Sequence, residues 1–267
     1  MRFMKFDIWR RIAMSVLVLG AVSTAYAEEK IGVVFMHGKL SPAESAHKNF
    51  RDYLERRGFL LNAPEMPWSK NRVFDKPYNE ALIEIDAAVA DLRARGAKYV
   101  LIGGHSMGGN AALYYGAERK VDGLFLLAPA HIPQSDLFRN AFAESVAKAN
   151  AMVTSGKGTE RATFNDMELS GGGSYTVNTT AVAYLSYFDP ESAANMERTV
   201  TKLAPGIPLL MVVSSKENHD IRAIEDRVYA AIPGDKKKLL EISSPHRQVP
   251  AMSQEQVANW LDSFKSP

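Results

Sequence analysis

Short β-rich apolar runs alternate with longer amphipathic stretches along most of the chain, and few folds other than parallel strands joined by crossover helices accommodate that pattern. Ile31-Gly32-Val33-Val34-Phe35-Met36 reads as a buried strand running into His37-Gly38. Ala43 to Arg57 reads as a helix stopped by Gly58, and Phe59-Leu60-Leu61 opens a second strand that Pro64 and Pro67 end. From Tyr78 to Arg95, Leu82, Ile85, Val89 and Leu92 recur at three- and four-residue intervals, giving a helix with one core face closed by Gly96. Tyr99 to Ile102 is the third strand and Val121 to Leu127 the fourth. The rhythm returns with a strand over Ile207 to Val213, a helix over Ile221 to Ile232, a strand from Lys238 to Ile242 and a helix from Gln254 to Phe264.

Between these two halves the alternation lapses for about 75 residues. This stretch holds one helix around Leu137 to Met152, a turn at Ser155-Gly156-Lys157-Gly158, a Gly171-Gly172-Gly173 hinge and an aromatic cluster from Tyr184 to Phe188. A long insertion at one end of a sheet is either a surface excursion or a cover over a site, and we expect residues 130–204 to form a lid. No internal repeat is present, so the expectation is one α/β domain over 28–267, with a mostly parallel sheet flanked by helices. At 46% hydrophobic and 23% charged residues the chain is not disordered. With no cysteine it has no disulfide, no thiolate metal site and no cysteine nucleophile. A net charge of +2 does not provide the basic face of a dedicated nucleic-acid binder.

The first 27 residues have the composition of a secretory signal. Arg2, Lys5, Arg10 and Arg11 form a basic leader, Ile12 to Ala25 is apolar or small, and Ala25-Tyr26-Ala27 offers small residues for cleavage after Ala27. The apolar run is shorter than the roughly 20 residues needed to cross a bilayer. Ile12-Ala13-Met14 after the arginine pair lacks a twin-arginine continuation, so general secretion is expected. The remaining 240 residues carry 28 basic and 29 acidic side chains, and the expected location is the periplasm or the exterior, with no membrane span after processing.

The chemistry concentrates at Gly103-Gly104-His105-Ser106-Met107-Gly108-Gly109, directly between a predicted strand and a predicted helix. Gly104-His105-Ser106-Met107-Gly108 fits G-x-S-x-G. That spacing lets a strand turn sharply into a helix, with small residues two before and two after a serine held in an unusual backbone conformation at the carboxyl edge of the sheet. On this motif and its context the chain resembles the α/β-hydrolases of the serine esterase and lipase type, from Ile31 to Phe264 apart from the insertion. The resemblance implies a chain order of nucleophile, acid and histidine.

Histidine is the base suited to activate a serine hydroxyl near neutral pH. Of the six histidines, His246 stands four residues past the last strand, on the loop where the family places its base. The acid belongs on the loop after Val212-Val213, where Glu217 and Asp220 compete. Glu217 has the family's offset from the strand and is preferred; Asp220, just before Ile221, has an alternative task as a helix N-cap. Two backbone N–H groups must face the oxyanion. Met107 follows the nucleophile, and Lys39 follows His37-Gly38 where the resemblance places the second donor. Trp68 and Tyr187 are candidates to line the substrate pocket. The expected activity is cleavage of a small-molecule carboxylic ester through an acyl-enzyme, with no cofactor or metal. The alternatives are a thioesterase, peptidase or acyltransferase on the same fold, or a noncatalytic exported binding protein.

Overall fold

The strands that read as unbroken apolar runs lie at the centre of the sheet, where both faces are covered. The computed structural model describes residues 29–169 and 173–265, so the expected signal peptide lies outside the described residues. Strands β1 (Ile31–Met36), β2 (Leu60–Asn62), β3 (Tyr99–His105) and β4 (Gly123–Leu127) join two later strands in one sheet. The sheet has six strands, every neighbouring pair parallel. Its order is β2-β1-β3-β4-β7-β8, with β7 spanning Leu209–Ser214 and β8 Lys237–Ile242. All residues of β1, β4 and β7 are buried, whereas the edge strand β8 alternates between half-buried and exposed residues and displays Lys238 and Glu241.

Helices cover both faces. Val34, Met36 and Ile102 pack with α2 (Ala81–Ala94) and α3 (Met107–Glu118). Val33, Phe35 and Leu101 pack on the other face with α1 (Lys48–Arg56) and the last helix, α9 (Gln254–Asp262). The first helix begins at Lys48 rather than Ala43, because residues 43–47 form turns and His47 sits at φ 50°. The third strand runs on to His105, three residues past its expected end.

The segment between β4 and β7 contains more structure than its sequence suggested. It folds as α4 (Asp136–Thr154), an antiparallel hairpin of β5 (Arg161–Glu168) and β6 (Gly173–Thr180), then α5 (Ala181–Phe188) and α6 (Met196–Val200). The sequence expectation held one helix and no strand here. The inward positions of the hairpin explain the omission: Phe164 and Val177 alternate with buried Asp166 and Thr179, so the apolar period is broken by polar residues. Gly173 opens β6, and the other two glycines of the expected hinge lie outside the described residues. Among the described residues no helix is long and apolar enough to cross a membrane. Helix α7 (His219–Ala231) links β7 to β8, and the short α8 (Val249–Met252) precedes α9.

Strand order determines where a ligand can sit. From β1 the chain passes to β2 on one side and then to β3 on the other, so the carboxyl ends of β1 and β3 flank a switch point, the usual crevice of an open parallel sheet. His37-Gly38-Lys39 leaves β1 there and Ser106 leaves β3.

Candidate active site

Ser106 occupies φ 56°, ψ −119°, a combination that L-residues rarely adopt and that costs on the order of 1–3 kcal/mol. Its surroundings fix it in place. The Ser106 N–H donates to Leu127 O at 3.0 Å, and its carbonyl accepts from the N–H groups of Gly109, Asn110 and Ala130 at 2.9 to 3.1 Å. A Cβ at Gly104 would lie 2.5 Å from the Gly108 carbonyl carbon, and one at Gly108 would lie 2.2 Å from Met36 O. Only glycine fits at either position, which is the physical content of the G-x-S-x-G spacing. The serine caps α3, so the unpaired N–H groups of that helix's first turn, Met107 among them, direct positive potential toward it.

Glu217 and His246 meet on the neighbouring loops. Glu217 Oε2 lies 2.5 Å from His246 Nδ1, and Oε1 accepts the Asn218 N–H at 2.9 Å. Both side chains are nearly inaccessible, at 2% and 7%. An Nδ1–H donated to the carboxylate leaves His246 Nε2 without a proton, able to accept one. Ser214 Oγ donates to Ser244 O and accepts from the Lys216 N–H, which joins the acid loop to the histidine loop. Asp220 does not touch His246, and the helix cap expected of it belongs to Asn218. Asn218 Oδ1 accepts from the Asp220 and Ile221 N–H groups, so α7 starts two residues earlier than expected.

Sequence reasoning assigned no role to His47 and treated His105 only as a neighbour of the serine. His105 is buried and its Nε2 faces His246 O at 3.0 Å; a carbonyl only accepts, so Nε2 carries the proton. His105 Nδ1 must then accept, and His47 Nε2 donates to it at 3.0 Å. Burial lowers the pKa of His105 far below its ordinary value, and His246 and His47 deepen the shift. Burial, then the charge of His246, brings His47 down to about 4. His37 is lowered by burial, and His131 falls to about 3 through burial and then Lys39. These four imidazoles are therefore neutral near pH 7.

The β1 loop stands against the serine. A Cβ on Gly38 would lie 3.4 Å from Ser106 Cβ, which brings the Gly38-Lys39 backbone alongside the candidate nucleophile. The Lys39 side chain turns away into the insertion, where Nζ donates to Asp166 Oδ1 and to Met167 O, each at 2.6 Å. Asp166, with no exposed surface, also accepts from Tyr175 Oη at 2.6 Å. The Tyr175 hydroxyl pKa is raised by burial and by the Asp166 carboxylate.

Trp68 and Tyr187, expected to line the substrate pocket, are instead core residues with no exposed surface. Trp68 has no exposed surface and donates Nε1–H to His37 O at 2.8 Å, while Leu40 N–H donates to Trp68 O at 2.8 Å. It therefore braces the β1 loop. Tyr187 is equally buried, with its ring against Phe74 and Tyr78 and its hydroxyl donating to Lys76 O. Large aromatic rings with satisfied polar ends pack in cores more readily than they line wet pockets. Asn110, which carries no motif, ties α3 to the insertion. Its Oδ1 accepts from Tyr78 Oη at 2.7 Å, and its Nδ2 donates to the carbonyls of Ala130, His131 and Ala194.

Two cavities meet at Ser106. One, of about 420 Å³, is lined by Gly38, Lys39, Ser41, His47, His246 and Arg247 among others. The second, of about 20 Å³, lies between Ser106 and the insertion. A larger hollow of about 600 Å³ lies beyond the amino ends of β3 and β4. On its charged walls Arg93 pairs with Asp122, Arg119 with Asp86 and Lys202 with Glu118, and it holds none of the site residues described above.

The sequence pattern of the alpha/beta hydrolase family matches residues 33–260. No curated protein matches the chain in sequence. Among solved structures, the monoacylglycerol lipase of Paleococcus ferrophilus superposes with a TM-score of 0.65 at 18% identity, over 89% of this chain and 97% of that one. A structure described with two metagenome-derived lipolytic enzymes gives 0.64 at 16% identity, over 89% and 95%. A thermostable carboxyl esterase from Bacillus coagulans, in complex with glycerol, gives 0.55 at 15% identity, over 88% and 89%. At these identities the likeness is one of fold. The matched pattern covers most of the sequence, and the chain belongs to the alpha/beta hydrolase family.

Proposed function

We propose that the protein is a serine hydrolase that cleaves carboxylic esters by acyl transfer to water. The observation that carries this reading is the convergence, at the switch point of the sheet, of a serine in a costly backbone conformation with His246, which lines the same two cavities and is held from behind by the buried Glu217. Ser106 Oγ attacks the ester carbonyl as His246 Nε2 takes its proton. Glu217 keeps the proton on Nδ1 and stabilises the imidazolium, as the acid of a triad does. The amides of Met107 and Lys39 receive the developing oxyanion. His246 then gives its proton to the departing alcohol, and a water activated by the same base releases the acid. The lipases and esterases among the structural neighbours support an ester as the substrate.

The test is hydrolysis of p-nitrophenyl esters by the purified protein, alongside labelling with a fluorophosphonate. Ser106→Ala should lose both turnover and label. Glu217→Gln should lower kcat about 10⁴-fold, as loss of a triad acid does. Asp220→Asn should stay near the parent. Equal rates with and without Ser106 would refute the mechanism, and a larger loss at Asp220 than at Glu217 would reassign the acid.

A further inference from the structure

His47 stands at the N-cap of α1 in a left-handed conformation, φ 50° and ψ 37°, yet its side chain caps nothing. A residue other than glycine is held there only where its surroundings over-determine it. Its ring turns toward the site instead, edge-on to Phe35 and to His105, with centroids 6.0 and 4.5 Å away. The protons along this row of rings are fixed from one end. His246 O can only accept, so His105 Nε2 carries a hydrogen; His105 Nδ1 then accepts, and the hydrogen of His47 lies on Nε2. A neutral imidazole holds a single ring proton, which makes His47 Nδ1 a bare acceptor. With its pKa brought down to about 4, the ring keeps that form at neutral pH. Among the described residues nothing donates to Nδ1, and the half-buried ring lines the cavity of about 420 Å³ that Ser106 and His246 also line.

We infer that His47 Nδ1 binds a neutral hydrogen-bond donor on the substrate, a hydroxyl or an amide N–H, and so selects esters that carry one. This specificity rests on the ester-hydrolase reading and adds to it. The proton arrangement decides the sign of the contact: a nitrogen without a hydrogen accepts and cannot donate. A group that only accepts, such as an ether or carbonyl oxygen, gains nothing there and leaves the nitrogen without the bond that water would give it. A cationic donor is disfavoured, because Arg51, and His246 when protonated, both bear on the ring with positive charge. Either half of the ester can bring a neutral donor to this wall of the cavity.

The experiment compares kcat/KM within matched pairs of esters, each with a Ser106→Ala control. The pairs are 2-hydroxyethyl butyrate with propyl butyrate, ethyl 3-hydroxybutyrate with ethyl 3-methylbutyrate, and 2-acetamidoethyl butyrate with its N-methyl amide. The first two exchange a hydroxyl for a methyl group on the alcohol or the acyl side, and the third removes an N–H. At least one donor ester should exceed its partner by about five- to tenfold, the worth of one net hydrogen bond. His47→Ala should remove that preference. His47→Asn, which tolerates the left-handed backbone and places Oδ1 near the position of Nδ1, should keep it. His47 also holds His105, so both variants should lower kcat for every ester; the ratio within a pair isolates the contact with the substrate. Absence of a donor preference in every pair, the same preference in His47→Ala, or its equal loss in both variants overturns the assignment. The first of these outcomes is read on the parent protein alone, whether or not His47→Ala folds. Absence of Ser106-dependent turnover for every ester overturns the hydrolase reading instead.

Discussion

His105 occupies the variable position before the candidate nucleophile, yet it has a structural task that the position alone does not reveal. Its Nε2–H holds the backbone carbonyl of His246, and its other nitrogen is held by His47. A base displaced by about 1 Å loses on the order of 10²-fold in rate. His105→Leu should therefore lower kcat by ten- to a hundredfold with little change in KM. His105→Gln, whose amide can donate at similar reach, should recover much of the loss; equal losses in the two variants would mean that packing, not the hydrogen bond, places His246. Residue identities at the site were partly legible. Ser106 stood out through the elbow, whose glycine spacing is a matter of local backbone geometry, and His246 through the chain order that the family resemblance implies. The acid stayed open between Glu217 and Asp220, since they stand only three positions apart and only the fold shows which carboxylate reaches the imidazole. Trp68 was misread for a related reason: an aromatic beside a site looks the same in sequence whether it faces the ligand or braces the loop that does.

Helix α7 buries a carboxyl group without a partner. Glu225 has no exposed surface, and neither of its oxygens makes a hydrogen bond. Its pKa is raised far above the usual carboxylate range by burial first, then by Glu217 and Asp226, against Arg222. The folded protein thus keeps a proton that the unfolded chain releases above about 4.5. The resulting stability is complete below that pH and is lost as pH rises toward the folded value. Glu225→Met should raise stability at pH 8 by about 1–3 kcal/mol, the cost of an unsatisfied buried group. Thermal unfolding at pH 5 and pH 8 should show the gain shrinking at the lower pH; a gain independent of pH would place its origin in packing. At this scale the apolar periods located the central strands and most helices within a few residues. They failed at the β5–β6 hairpin, where Asp166 and Thr179 occupy inward positions and the alternation that marks a half-buried strand disappears.

Across the whole molecule, the parallel sheet was legible because strand runs and crossover helices alternate so regularly. The size of the cavities was not, because it depends on contacts between segments far apart in the chain. The Lys39–Asp166 ion pair is the main one, linking positions 127 residues apart. Lys39 is 8% exposed and Asp166 not at all, so removing one partner leaves the other buried and uncompensated, at a cost of about 3–5 kcal/mol. Lys39→Met should show that loss in denaturant unfolding. The double variant Lys39→Met, Asp166→Leu should regain much of the stability but not the parent kcat, because the loop proposed to offer an oxyanion amide is no longer tied down. Recovery of both would show that the ion pair serves stability alone.

That tie also limits how such a protein can be recombined. A crossover between two relatives anywhere from position 40 to position 165 would combine the β1 loop of one parent with the hairpin of the other. Unless both parents carry the same pair, the product inherits a lysine or an aspartate buried without its counterion. The insertion lies in one continuous stretch of sequence, but it cannot be exchanged as a self-contained cassette: residue 39 has to travel with it.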